Sequence, residues 1–126
     1  TQKKDRKLED RTILVIQDGE KTAIRRRPSR GLLAGLYEFP NVSGHLSKEE
    51  TLEMIREMNL DPLYIEPLPD AKHIFSHIEW RMTAYRVRVS SLEDNNRANL
   101  LFVSRKQSDR QYAIPSAFSA YTRYIE

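Results

Sequence analysis

Cysteine is missing from all 126 residues. The chain can therefore build no disulfide, no thiolate metal site and no iron–sulfur ligation. That absence leaves its redox compartment open. Long apolar runs are missing as well, and none approaches the ~20 residues a membrane-spanning helix needs. No basic stretch followed by an apolar one reads as a secretory leader. Internal repeats and low-complexity tracts are absent too. Thr1 stands where an initiating methionine would, as expected of a fragment or a processed product. His45 and His73 lack the companion ligands of a zinc site. No Ser-His-Asp or Cys-His arrangement occurs with its supporting motifs.

What is present suits one compact domain with a modest core: 39% of residues are hydrophobic and 31% charged. The formal net charge is +3, and Arg outnumbers Lys by 14 to 7. Residues 1–30 hold ten Lys/Arg against five Asp/Glu, whereas 47–60 hold two against four. Guanidinium groups suit bidentate contact with phosphate. The same balance also serves simply to keep a small protein soluble.

Residues 1–10 are almost all polar and read as a linker or disordered arm, leaving 11–126 as the folded domain. The run Thr12-Ile-Leu-Val-Ile-Gln17 reads as a strand buried on both faces. Asp18-Gly19 signals a hairpin, with 21–27 as the return strand. Residues 28–40 begin as a loop containing Gly31 and Gly35 and end in a short strand at 36–39. A turn is expected over 41–45. Ser47-Lys-Glu-Glu50 is a capping box opening a helix whose apolar face is Leu52, Ile55 and Met58. Asp61-Pro62 stops it. Residues 64–69 are extended. Residues 71–77 and 78–89 read as two strands meeting near Ser76. Their apolar parity switches after Ala84, which suggests a bulge near 84–85. A polar loop over 92–99, a strand over 100–103 and a closing helix from Pro115 with Phe118, Tyr121 and Ile125 on one face complete the chain. The order β-β-β-α-β-β-β-α describes an α+β fold, a mixed β-sheet covered by helices.

The stretch Lys72-His-Ile-Phe-Ser-His-Ile-Glu-Trp80 is the most informative. Phe75-Ser76-His77 interrupts apolar alternation where a packed strand would keep it. A hydroxyl both donates and accepts, and an imidazole can donate to phosphate. A plain surface turn explains the same residues. Arg25, Arg26, Arg27, Arg30 and Lys72 are candidate phosphate contacts, or else charges that blunt a sheet edge. Trp80, Tyr85, Tyr112, Tyr121 and Tyr124 have faces on which bases stack, though single aromatics at such spacing more often belong to a core.

Three blocks in this order, Arg26-Arg-Pro-Ser-Arg-Gly-Leu-Leu-Ala-Gly-Leu-Tyr-Glu-Phe-Pro40, Phe75-Ser76-His77 and Tyr112-Ala-Ile-Pro-Ser-Ala-Phe118, resemble the C-terminal domain of the A/G-specific adenine DNA glycosylases of the MutY family. The resemblance runs from about Thr12 to Ile125 and is loose over 92–109. It implies a Nudix-like fold and a role in base-excision repair, reading 8-oxoguanine opposite adenine in double-stranded DNA. Phe75, Ser76 and His77 would form the lesion-probing loop. The catalytic domain of the same chain would flip and excise the adenine, with its catalytic aspartate and glutamate, and would carry a 4Fe-4S cluster. Neither that machinery nor a cysteine is present here, so this domain is expected to be non-catalytic, with no cofactor or metal of its own and no membrane association. The expected location is cytoplasmic, with the bacterial nucleoid.

A Nudix hydrolase needs glutamates clustered on one helix to hold divalent metal. Its signature is Gly, five residues, Glu, seven residues, Arg-Glu, an aliphatic, any residue, Glu-Glu, any residue, Gly. Set on Arg56-Glu57-Met58, it finds Val42 for the first Gly, Lys48 for the first Glu, Leu60-Asp61 for Glu-Glu and Leu63 for the last Gly. The sequence thus lacks a functional Nudix box. A divergent Nudix-fold nucleotide hydrolase and a protein-interaction module remain the alternatives.

Overall fold

The apolar run at 12–17 lies at the centre of a seven-stranded sheet. The computed structural model describes residues 6–90, 99–107, 112 and 114–125. Its elements are β1 (Lys7–Asp18), β2 (Lys21–Arg26), β3 (Tyr37–Glu38), β4 (Asn41–Ser43), α1 (Lys48–Glu57), β5 (Pro62–Ile74), β6 (Ile78–Val89), β7 (Leu101–Val103), a 3-10 turn (Ser116–Phe118) and α2 (Ser119–Thr122). The main strand order is β3-β2-β1-β6-β5, with β4 added on β1 and β7 on β2. β1 and β6 run parallel, while the other pairs are antiparallel. The result is a mixed sheet in an α+β fold.

Successive strand residues point to opposite faces. Ile13 and Val15 therefore enter one core, with Phe39, Trp80, Phe118 and Tyr121. Leu14 and Ile16 enter the other, with Ile55, Leu60, Val87 and Val89. All four β1 residues are fully buried, which explains why the run is continuous rather than alternating. Ser47 caps α1 in a complete capping box with Glu50. A cap of this kind is worth about 1 kcal/mol. Full burial of Ile55 contributes about 1.5–3 kcal/mol, so docking on the sheet outweighs the cap. The helix closes with Asn59 in the left-handed region at φ 63°, before Pro62 opens β5.

Several boundaries differ from expectation. β1 starts at Lys7, so residues 7–10 are not an arm: each pairs with a residue of β6, from Ile78 to Arg81. Backbone pairing with a long neighbour orders them although three of the four side chains are charged and Leu8 is exposed. Residues 1–5 lie outside the described residues, as does most of the polar loop expected over 92–99. The turn expected at 41–45 is instead β4 over its first three residues, hydrogen-bonded to β1. No bulge lies in β6 at 84–85. Its register with β1 is unbroken from Ile78 to Arg88. The parity switch arises because Trp80, Met82 and Ala84 face one core and Val87 and Val89 face the other. The irregularities sit in β5, at Pro62/Tyr64 and Leu68/Ala71. β5 is an edge strand, where Pro67 and Pro69 cost fewer ladder hydrogen bonds. The closing segment is a 3-10 turn followed by a short helix, and Phe118, Tyr121 and Ile125 are buried as a set.

Candidate nucleic-acid interface

β5 and β6 form a long hairpin whose last cross-strand pair is Ile74 with Glu79. The Phe75 N–H donates to the Ile78 carbonyl at 2.7 Å, leaving Ser76 and His77 as a two-residue tip. The Lys7 N–H donates to the His77 carbonyl at 2.9 Å and ties the tip to the start of β1. Ser76 and His77 are exposed. Phe75 differs from both. It is partly buried, edge-on to Trp80 with ring centroids 5.1 Å apart, and edge-on to His73 at 4.7 Å. The triplet thus divides into one anchoring residue and two presented ones. Beside the tip lies a cleft of about 510 Å³ lined by Leu32, Ile74, Phe75, Ser76, His77 and Ile78.

The arginines separate in the same way. Glu38 is 2% exposed. A carboxylate buried to that degree must be paired. Arg25 Nε donates to its Oε2 at 2.9 Å. Arg27 Nη1 and Asn41 Nδ2 donate to Oε1 at 2.6 and 2.8 Å. Asn41 Oδ1 in turn accepts from Arg11 Nε and Nη2 at 2.9 and 2.6 Å. Arg11 and Arg27 each place their guanidinium carbon 5.4 Å from the Trp80 ring centroid. Burial, and after it the neighbouring Arg27, holds the Arg11 guanidinium below its ordinary pKa. Arg25 and Arg27 are therefore engaged inside the domain. Arg26, Arg30 and Lys72 are exposed, and of these Arg26 donates to the Gly35 carbonyl at 3.0 Å. Lys72 sits beside the tip on β5, opposite Arg81. Sequence spacing could not separate the inner arginines from the outer ones. The available signal was Glu38 itself, a carboxylate between Tyr37 and Phe39. Leu32 and Asn41 had no signal at all.

The aromatic side chains belong mostly to the interior. Trp80 and Tyr121 are buried, Tyr85 donates its hydroxyl to the Leu46 carbonyl, and Tyr112 packs edge-on to Tyr37 at 4.8 Å. On α1, the Glu50 side chain accepts from the Ser47 N–H, and its carboxyl is lowered by hydrogen bonds to the Ser47 backbone and hydroxyl. Leu60, where the hydrolase signature has a glutamate, is buried in the core. Among the described residues no three His, Cys, Asp or Glu side chains gather in a way that would hold a metal. His45 Nε2 lies 2.8 Å from the Arg81 carbonyl and 3.7 Å from Asp10, in a separate cleft of mixed charge. No helix is long and apolar enough to cross a membrane among the described residues.

Solved structures share this fold. The C-terminal domain of mouse MUTYH, in its complex with human PCNA, is similar with a TM-score of 0.70 at 20% identity, over 92% of this chain and 88% of that one. A MutT NUDIX hydrolase from Burkholderia pseudomallei is similar with a TM-score of 0.68 at 12% identity, over 95% and 99%. The MutT protein from Methanosarcina mazei Go1 has a TM-score of 0.65 at 11% identity, over 98% and 96%. At these identities the likeness is one of fold. A family model described as a NUDIX domain matches residues 11–124. With nearly its whole length matched, the chain belongs to the NUDIX domain family.

Proposed function

We propose that this domain reads 8-oxoguanine opposite adenine in double-stranded DNA, as the C-terminal domain of a MutY-family adenine glycosylase. The excision itself would be done by a catalytic domain of the same protein. The observation that carries this reading is the tip: Phe75 is anchored in the core while Ser76 and His77 face outward. Guanine offers an N7 acceptor in the major groove. Its 8-oxo form carries a proton on N7 and a carbonyl at C8. The Ser76 hydroxyl can accept from that N7–H, and a backbone N–H of the tip can donate to the C8 oxygen. Undamaged guanine satisfies neither. His77, Lys72, Arg26 and Arg30 would meet phosphates, which position the duplex without reading sequence. Base flipping costs a few kcal/mol, and lesion contacts made from this side would offset part of it.

An amide NMR titration with duplexes carrying 8-oxoguanine:adenine or guanine:adenine at low salt tests the reading. Lesion-dependent shifts centred on residues 72–78 are expected. Equal shifts for both duplexes, confined to the exposed arginines, would reduce the domain to a generic phosphate binder. No shift with either duplex would favour a protein-interaction module.

A nucleotide hydrolase is the second reading. It is supported by the family match and by the fold shared with MutT proteins. Incubation with 8-oxo-dGTP and magnesium separates the two. Glu53 is one of the glutamates on α1, and turnover that Glu53→Gln abolishes would establish the hydrolase and displace the lesion reader.

A further inference from the structure

The cleft beside the hairpin tip has two walls from distant parts of the chain. One is the tip with Ile74, Phe75 and Ile78, and the other is Leu32, from the connection between β2 and β3. A single side chain touches the supports of both. Arg27 Nε donates to the Leu32 carbonyl at 3.0 Å. The same guanidinium lies 5.4 Å from the centroid of Trp80, the ring on which Phe75 rests. Its Nη1 is held by Glu38 at 2.6 Å. A guanidinium has five donors in a fixed plane and also stacks on aromatic faces, so it can satisfy three such partners in one geometry. An ammonium would keep the charge and lose both the plate and the fork. Arg27 cannot swing away without withdrawing a donor from a buried carboxylate. With its side chain 14% exposed, it is poorly placed to meet a phosphate.

We propose that Arg27, locked by Glu38, is a positioning residue that sets the spacing between Leu32 and the Ser76–His77 tip. Through that spacing it governs how well the tip discriminates its target. Only the discrimination rests on the lesion-reading function, because the spacing is a property of the free protein.

The test compares Arg27→Lys with Leu14→Ala in the 126-residue chain. Leu14 is fully buried in the core on the opposite face of the sheet, so its loss destabilises without touching the cleft. Two readouts are needed: amide hydrogen exchange in the free protein, and affinity for duplexes with 8-oxoguanine:adenine and with guanine:adenine. In Arg27→Lys, exchange at Gly35 and Leu36, in the loop that carries Leu32, and at Phe75 and Lys7, whose amides bond to the tip, is expected to rise about tenfold relative to the rest of β1 and α1. The affinity ratio between the duplexes is expected to fall about tenfold, while guanine:adenine binding changes less than about twofold. Leu14→Ala should raise exchange broadly and leave the affinity ratio intact. If Arg27→Lys does not fold, Phe75→Leu replaces it. That variant removes the ring contact without disturbing the ion pair, and should loosen the tip while Gly35 and Leu36 keep their protection. Unchanged local exchange in both variants, or an equal local effect from Leu14→Ala, overturns the positioning role. A wild-type protein without lesion preference would instead refute the lesion reading, and the exchange data would still decide the role of Arg27.

Discussion

Phe75 stands edge-on to Trp80, with ring centroids 5.1 Å apart and planes inclined at 73°. That contact holds a two-residue tip against a buried indole on which two guanidinium groups also rest. Such aromatic pairs add about 0.5–1.5 kcal/mol beyond their area burial, enough to favour one placement of the tip over several. The sequence Phe-Ser-His therefore combines packing at its first position with presentation at the next two.

The first expectation concerns Ser76. Ser76→Ala should lower the preference for 8-oxoguanine over guanine by about 1–3 kcal/mol, the value of one discriminating base contact. Fluorescence anisotropy on the paired duplexes measures it. Equal weakening on both duplexes would remove Ser76 from lesion reading.

The arginines should split by burial. Arg26→Ala and Arg30→Ala should weaken binding to any duplex, and each should reduce the slope of log affinity against log salt by about 1. Arg25→Ala should mainly cost stability, about 1–3 kcal/mol, because it takes a donor from the buried Glu38 carboxylate. Urea melts beside salt titrations distinguish these. An Arg25→Ala protein of wild-type stability would contradict the internal assignment.

Alkaline stability should depend on Tyr121. Its side chain is 1% exposed, and its hydroxyl donates to the Pro69 carbonyl at 2.9 Å. Burial first, then Asp70 and Tyr124, raises its pKa from 10.0 to about 12. The folded state thus holds the phenolic proton more tightly than the unfolded state does. Its contribution is complete below about pH 10 and disappears as pH rises through about 12. Tyr121→Phe should lose about 0.5–1.5 kcal/mol at neutral pH and show a shallower fall in urea midpoint across that alkaline range. Identical alkaline profiles for the two proteins would show that another group titrates.

Helix α1 should depend on docking more than on its cap. Ile55→Ala is expected to cost about 2–5 kcal/mol, and Ser47→Ala about 1 kcal/mol. Thermal melts of the two variants rank them, and a reversed order would mean that α1 forms independently of the sheet.

Much of the fold and part of the site are legible in local sequence. The run 12–17 shows a strand buried on both faces, Ser47 through Glu50 spells out a helix start, and Phe75-Ser76-His77 marks the turn between two strands. Each of these depends on neighbours within a few residues, through alternation, capping or turn chemistry. Tertiary structure decided the remainder. Residues 7–10 became strand because β6 offers them a continuous ladder. The parity change in β6 came from two cores meeting opposite faces of one regular strand. Arg25 and Arg27 turned inward because strand pairing sets Arg25 directly across from Glu38, and a carboxylate sealed from water requires cationic or polar donors. Which of several adjacent charges faces solvent follows from the partner that the fold brings opposite each one, and no spacing along the chain records that partner.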